Sequence, residues 1–107
     1  MRQPRVEILY FEGCPNHEAA RTLLAQVATE LRLEPEVDVV EVPDADAAVE
    51  RRFPGSPTVR VDGRDVEPGA DDRSDFAFSC RVYRTGHGFS GVPDPDWVRE
   101  ALRSSAA

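Results

Sequence analysis

The sequence predicts one α/β domain with the element order β-α-β-α-β-β-α, and three observations carry that expectation. The chain has 107 residues, enough for one core that buries roughly two thirds of the unfolded surface. Its apolar pattern alternates between short branched or aromatic runs and segments of helical period. Turn and capping residues stand at the changes: Pro15, Asp44, Pro54-Gly55, Asp62-Gly63 and Asp94-Pro95. A single domain over 1–107 follows.

The elements read in order. Arg5 to Phe11 (RVEILYF) is apolar from Ile8 onward, as in a strand covered on both faces. From Pro15 a helix is expected, with Ala20, Leu24, Val27 and Leu31 on its inner face and Glu18, Arg21, Gln26, Glu30 and Arg32 opposite. Glu36 to Val42 alternates as a second strand. Asp44 suits the N-cap of a short helix striped by Ala45, Val49 and Phe53, which Pro54-Gly55 stops. Thr58 to Val61 is a third strand, and Asp62-Gly63 is a hairpin turn into Arg64 to Val66. Asp94 followed by Pro95 opens the last helix, which buries Trp97, Val98, Ala101 and Leu102. The 27 residues from Glu67 to Pro93 break this rhythm. A loop of that length in a small domain carries function or structure of its own, and Arg81 to Thr85 has the pattern of a strand.

Composition narrows the partners. Thirteen basic residues against 20 acidic ones give a net charge of −7, which argues against nucleic acid and anionic membranes, both gripped by basic surface. Every basic residue is arginine, a bias that marks no site. Seven carboxylates without one basic residue between Glu34 and Glu50 alternate with valines or cap a helix, and read as a solvated face. No apolar run approaches the roughly 18 residues that span a bilayer. The opening MRQPRVEILYF shows no cleavage-site pattern, so a cytoplasmic location is expected. No cofactor is implied.

Chemistry concentrates at the cysteines, Cys14 and Cys80. Two thiols cannot ligate an iron–sulfur cluster alone, and a cytosolic disulfide is usually transient or catalytic. Cys14 is expected where a buried strand ends and a helix begins, with Pro15 at the first helical position. Unpaired N–H groups and the positive dipole end there stabilise a thiolate; the plainer reading is a small buried hydrophobe. A zinc site from Cys14, His17, Cys80 and His87 would have C-x2-H and C-x6-H halves, although His87 in T-G-H-G-F suits a turn.

With Y-F-E-G-C-P-N-H at Tyr10 to His17 and G-S-P-T at Gly55 to Thr58, the chain resembles the thioredoxin-like superfamily over most of residues 5–66 and the last helix. The resemblance implies a cis Ser56-Pro57 bond beside Cys14. It also implies a site made by Pro15, Ser56 and Pro57, with the Ser56 backbone free to pair with an extended peptide or thiol ligand. His17 stands where dithiol members carry their second cysteine, so the reaction would use a small thiol such as glutathione or mycothiol, a protein thiol or disulfide, or a distant cysteine. As a cation, His17 would further favour the Cys14 thiolate.

L-Y-F-E-G-C-P-N, G-S-P-T-V-R-V-D-G-R-D-V-E-P and C-R-V-Y further resemble small bacterial thioredoxin-like proteins known as alkylmercury lyase-like. That resemblance implies Cys14 and Cys80 as mercury ligands acting on an organomercurial. His17 replaces the aspartate expected three residues after the first cysteine, which leaves Glu12, Glu18 and Asp72 as substitutes. A non-catalytic binding module using the same groove is the competing class. In either thiol reading Cys80 is the second thiol, carried by the insertion over the first helical turn to within roughly 4.4–6.8 Å of Cys14 between Cα atoms. The alternative buries Cys80 in the core behind Phe76, Phe78 and Tyr83.

Overall fold

Val6, Ile8 and Leu9 are wholly buried, which makes β1 (Arg5–Tyr10) the centre of the molecule. The computed structural model describes residues 3–107; Met1 and Arg2 of the opening segment lie outside the described residues. β1 runs parallel to β2 (Glu36–Glu41), with Arg5 opposite Glu36 and Tyr10 opposite Glu41. On its other side it is antiparallel to β3 (Thr58–Val61), Val6 facing Val61 and Leu9 facing Thr58. β4 (Arg64–Asp65) completes a sheet of order β2-β1-β3-β4. Asp62 and Gly63 both take positive φ, 51° and 82°, the conformation that an Asp-Gly two-residue hairpin requires.

Alternation along β1 divides the core in two. Val6 and Ile8 join Val59 and Val61 beneath α1 (His17–Glu30) and α3 (Pro95–Ala106), which contribute Ala20, Leu24, Val27, Val98 and Leu102. Leu9 packs with Val42, Ala48 and Phe53 under the short α2 (Ala45–Glu50). Asp44 caps α2 as expected, its carboxylate accepting the Ala47 N–H at 2.8 Å. The described residues form a mixed α/β domain with three α-helices and sheets of four and two strands. Among the described residues no helix is long and apolar enough to cross a membrane.

β2 is an edge strand and leaves Val37 and Val39 exposed. Three expectations need correction. Ala45 and Val49 do not line the core from α2: both are exposed and Ala48 is buried instead, because α2 ends at Glu50 and Phe53 reaches the core from the turn beyond it. α1 starts at His17 and not at Pro15, for a reason given below. The 67–93 insertion holds a 3-10 turn at Ala70–Asp72 and a hairpin of β5 (Tyr83–Thr85) and β6 (Gly88–Ser90). The expected strand therefore begins at Tyr83 and not at Arg81.

Asp94 ties this hairpin to α3. Its carboxylate accepts the Asp96 N–H at 2.9 Å and the Gly86 N–H at 3.2 Å. The Asp96 hydrogen bond foremost, with that of Gly86, outweighs desolvation and holds the Asp94 pKa below the ordinary carboxylate value. A depressed folded pKa contributes stability above the unfolded value of about 3.9 and loses it as pH falls through the folded one. Asp94→Ala is therefore expected to cost about 1 kcal/mol at neutral pH. Urea unfolding should show the gap to wild type narrowing below about pH 4; an equal gap at pH 7 and pH 3 would contradict the assignment.

Candidate functional site

Cys14 lies in the turn between β1 and α1 and keeps 5% of its surface exposed. Its N–H donates to the Phe11 carbonyl at 3.1 Å. Had α1 begun at Pro15, the Cys14 carbonyl would accept the Glu18 N–H. His17 Nδ1 meets that carbonyl instead, at 3.2 Å, and the first helical bond runs from the Ala20 N–H to the Asn16 carbonyl at 3.0 Å. Asn16 is thus the N-cap, and Pro15 precedes the helix. The His17 ring is stacked on Tyr10 at 4.5 Å between centroids, and its Nε2 lies 3.0 Å from the Glu18 carboxylate. His17 is therefore engaged with the Cys14 backbone and with Glu18, and among the described residues no hydrogen bond reaches the thiol.

The Ser56-Pro57 loop stands beside this turn. Its peptide bond is cis, and the Phe11 N–H donates to Ser56 Oγ at 3.3 Å. Phe11 therefore bonds both the cysteine turn, through its carbonyl, and the proline loop, through its amide. The Ser56 backbone is not free, contrary to expectation. Its N–H donates to the Ser79 carbonyl at 2.8 Å, and its carbonyl accepts the Arg81 N–H at 2.9 Å. Ser56 and Cys80 form a parallel bridge. The insertion has laid a short strand of its own along the residue before Pro57, a non-local pairing with no signature in either segment alone.

Cys80 is exposed, and both cysteines are free thiols. It does not sit in the core behind Phe76, Phe78 and Tyr83. Phe78 instead packs on Phe11, ring centroids 5.0 Å apart, and the Ala77 N–H donates to the Phe53 carbonyl at 2.9 Å. The remaining candidates do not converge. His87 lies in the β5–β6 turn, where its N–H donates to Thr85 Oγ1 at 3.0 Å. Asp72 closes the 3-10 turn and Glu12 is exposed. Among the described residues no group of three His, Cys, Asp or Glu side chains could hold a metal ion, so Cys14, His17, Cys80 and His87 do not form the zinc set weighed from their spacing.

Sequence reasoning missed the group that fixes this strand, Arg81. Its side chain is 1% exposed. Nη1 donates to Thr58 Oγ1 at 3.1 Å and to Asp65 at 2.7 Å, and Nη2 donates to Glu67 at 2.8 Å. The guanidinium lies over the Tyr83 ring, 4.3 Å from its centroid. Burial works against the charge, and the hydrogen bonds and negative charges of Asp65 and Glu67 outweigh it, raising the Arg81 pKa above its ordinary value. Burial also pushes the Tyr83 phenol far up, so it stays a neutral donor to the Pro57 carbonyl at 2.5 Å. The available signal was Arg81 and Tyr83 two residues apart, on one face of an extended segment. Gly55 makes room: a Cβ there would stand 2.8 Å from Arg81 Cβ.

Removing one member of a buried ion cluster strands the others, at a cost of about 3–5 kcal/mol. Arg81→Met should lower stability by that amount in urea unfolding, and adding Asp65→Asn should recover part of it. A loss below about 1 kcal/mol would place the guanidinium among surface pairs. Compared with protein-family models, curated proteins and solved structures, the chain finds no match.

Proposed function

We propose that this chain is a thioredoxin-like thiol–disulfide protein in which Cys14 is the reacting thiol and Cys80 the resolving one. One observation carries the reading. Phe11 is hydrogen-bonded to both the Cys14 turn and Ser56, and Ser56 is paired with the strand that bears Cys80. The sheet order, with β1 parallel to β2 and antiparallel to β3, supports the superfamily assignment. Cys80 then supplies what position 17 lacks.

The chemistry balances with two thiols. The Cys14 thiolate attacks a disulfide R–S–S–R′, forming Cys14–S–S–R and expelling R′–S⁻. The Cys80 thiolate attacks Cys14 Sγ, closing a Cys14–Cys80 disulfide and expelling R–S⁻. Two electrons pass to the substrate, and two equivalents of a small thiol return the pair to its reduced form.

Mild oxidation of the intact protein should remove two hydrogens and yield a Cys14–Cys80 crosslinked peptide in non-reducing mass spectrometry. Cys80→Ser should instead accumulate the mixed disulfide at Cys14. Oxidation that gives only intermolecular dimers through Cys80 would defeat the proposal.

A further inference from the structure

We infer that the insertion closes the thiol site to extended polypeptides and leaves it to low-molecular-weight disulfides such as a glutathione-type tripeptide dimer. This rests on the reading of Cys14 as the reacting thiol. Extended peptides dock on a protein by adding a strand to unpaired backbone at an edge. Beside Cys14 that backbone belongs to Ser56, and its N–H and carbonyl are both taken by Ser79 and Arg81 of the same chain. The protein has filled the position with its own segment.

The closure is built in several places. Arg81 anchors the segment from inside through Thr58, Asp65 and Glu67. Phe78 covers Phe11, and the Arg52 guanidinium lies 5.0 Å over the Phe76 ring. Beyond the β5–β6 hairpin, Gly91 abuts the N-cap residue of α1 so closely that a Cβ would meet Asn16 Nδ2 at 2.2 Å. The insertion therefore flanks the Cys14 turn at Phe11 and again at Asn16, consistent with a Cys14 residue only 5% exposed. A peptide pairing with the outer edge of the segment would lie one strand further away, about 4.8 Å. A small disulfide needs no backbone pairing.

The test offers the reduced full-length protein glutathione disulfide or a short synthetic peptide dimerised through one cysteine. Loss of the free Cys14 thiol, whether to the mixed disulfide or to the Cys14–Cys80 disulfide that follows it, is tracked by peptide mapping. Wild type should react at least about tenfold faster with glutathione disulfide, a gap equivalent to about 1.4 kcal/mol. The double variant Phe76→Ala/Phe78→Ala loosens the segment outside the core, and Arg81→Lys weakens its anchor while keeping the charge. Either should lose hydrogen-exchange protection at the Ser56 and Arg81 amides and bring the peptide rate toward the glutathione rate. Equal rates in wild type would overturn the closure, and so would an unchanged gap in a folded variant that has lost that protection. If neither disulfide modifies Cys14, the thiol reading itself falls and this inference with it.

Discussion

A guanidinium withdrawn from water needs partners, and the way Arg81 finds them for Nη1 and Nη2, with buried Nε left without one among the described residues, organises the half of the molecule that carries the cysteines. Thr58 comes from β3, Asp65 from β4, Glu67 from the start of the insertion and Tyr83 from β5. None of these elements can leave without stranding charge or polar groups in a buried place, which is the costly event in such clusters. The other ion pairs differ in kind. Arg5–Glu36 joins two exposed side chains, and Arg73–Asp75 a half-buried arginine to an exposed carboxylate; such pairs contribute little in water. The insertion is thus bound to the sheet by one internal cluster more than by its surface charges.

That binding depends on close backbone approach. At Gly55 the backbone takes φ of 141°, a conformation that side chains rarely adopt, and it meets Arg81 at a distance no Cβ would allow. Tyr83 completes the arrangement from above, since its phenol donates to the Pro57 carbonyl while its ring supports the Arg81 cation. A segment that reads as an irregular loop is therefore joined to the proline loop by backbone pairing, ring stacking and charge together. The cysteine turn shares in this through Phe11, which is bonded on both its amide and its carbonyl.

The parts of the fold legible in the sequence are those whose causes are local. Asp62-Gly63 specified its hairpin, Asp44 and Asp94 specified their caps, and the residues of β3 coincide with the expected strand because branched residues stand between two turns. What stayed illegible depends on distant partners. α1 starts two residues late because a side chain, His17, takes the carbonyl that a helical N–H would have used. Val37 and Val39 alternate as though half-buried, yet no distant segment arrives to cover them. Cys14 was legible at a strand-to-helix turn, and the cis Ser56-Pro57 bond followed from the resemblance to the thioredoxin-like superfamily. The site was not legible in Arg81, Asp65, Glu67 and Tyr83, which read individually as ordinary surface or strand residues.

An apolar cluster in place of Arg81, Asp65 and Glu67 together would satisfy the demand for burial at lower electrostatic cost, so the cation is explained better by register than by stability. A hydrophobe accepts many positions along a groove, whereas a planar fork with partners on three other residues accepts one. Side chains alternate along an extended segment, so a slip of one residue against Ser56 would turn Cys80 to the opposite face and set Ser79 or Arg81 in its place. With the Arg81 N–H on the Ser56 carbonyl and the Ser56 N–H on the Ser79 carbonyl, Cys80 is held opposite Ser56 by its two neighbours in the chain. The residue that fixes the register is adjacent to Cys80, which keeps the error between them small. A buried charge that selects one alignment among several is among the better-attested uses of such groups, and here the alignment it selects sets Cys80 opposite Ser56.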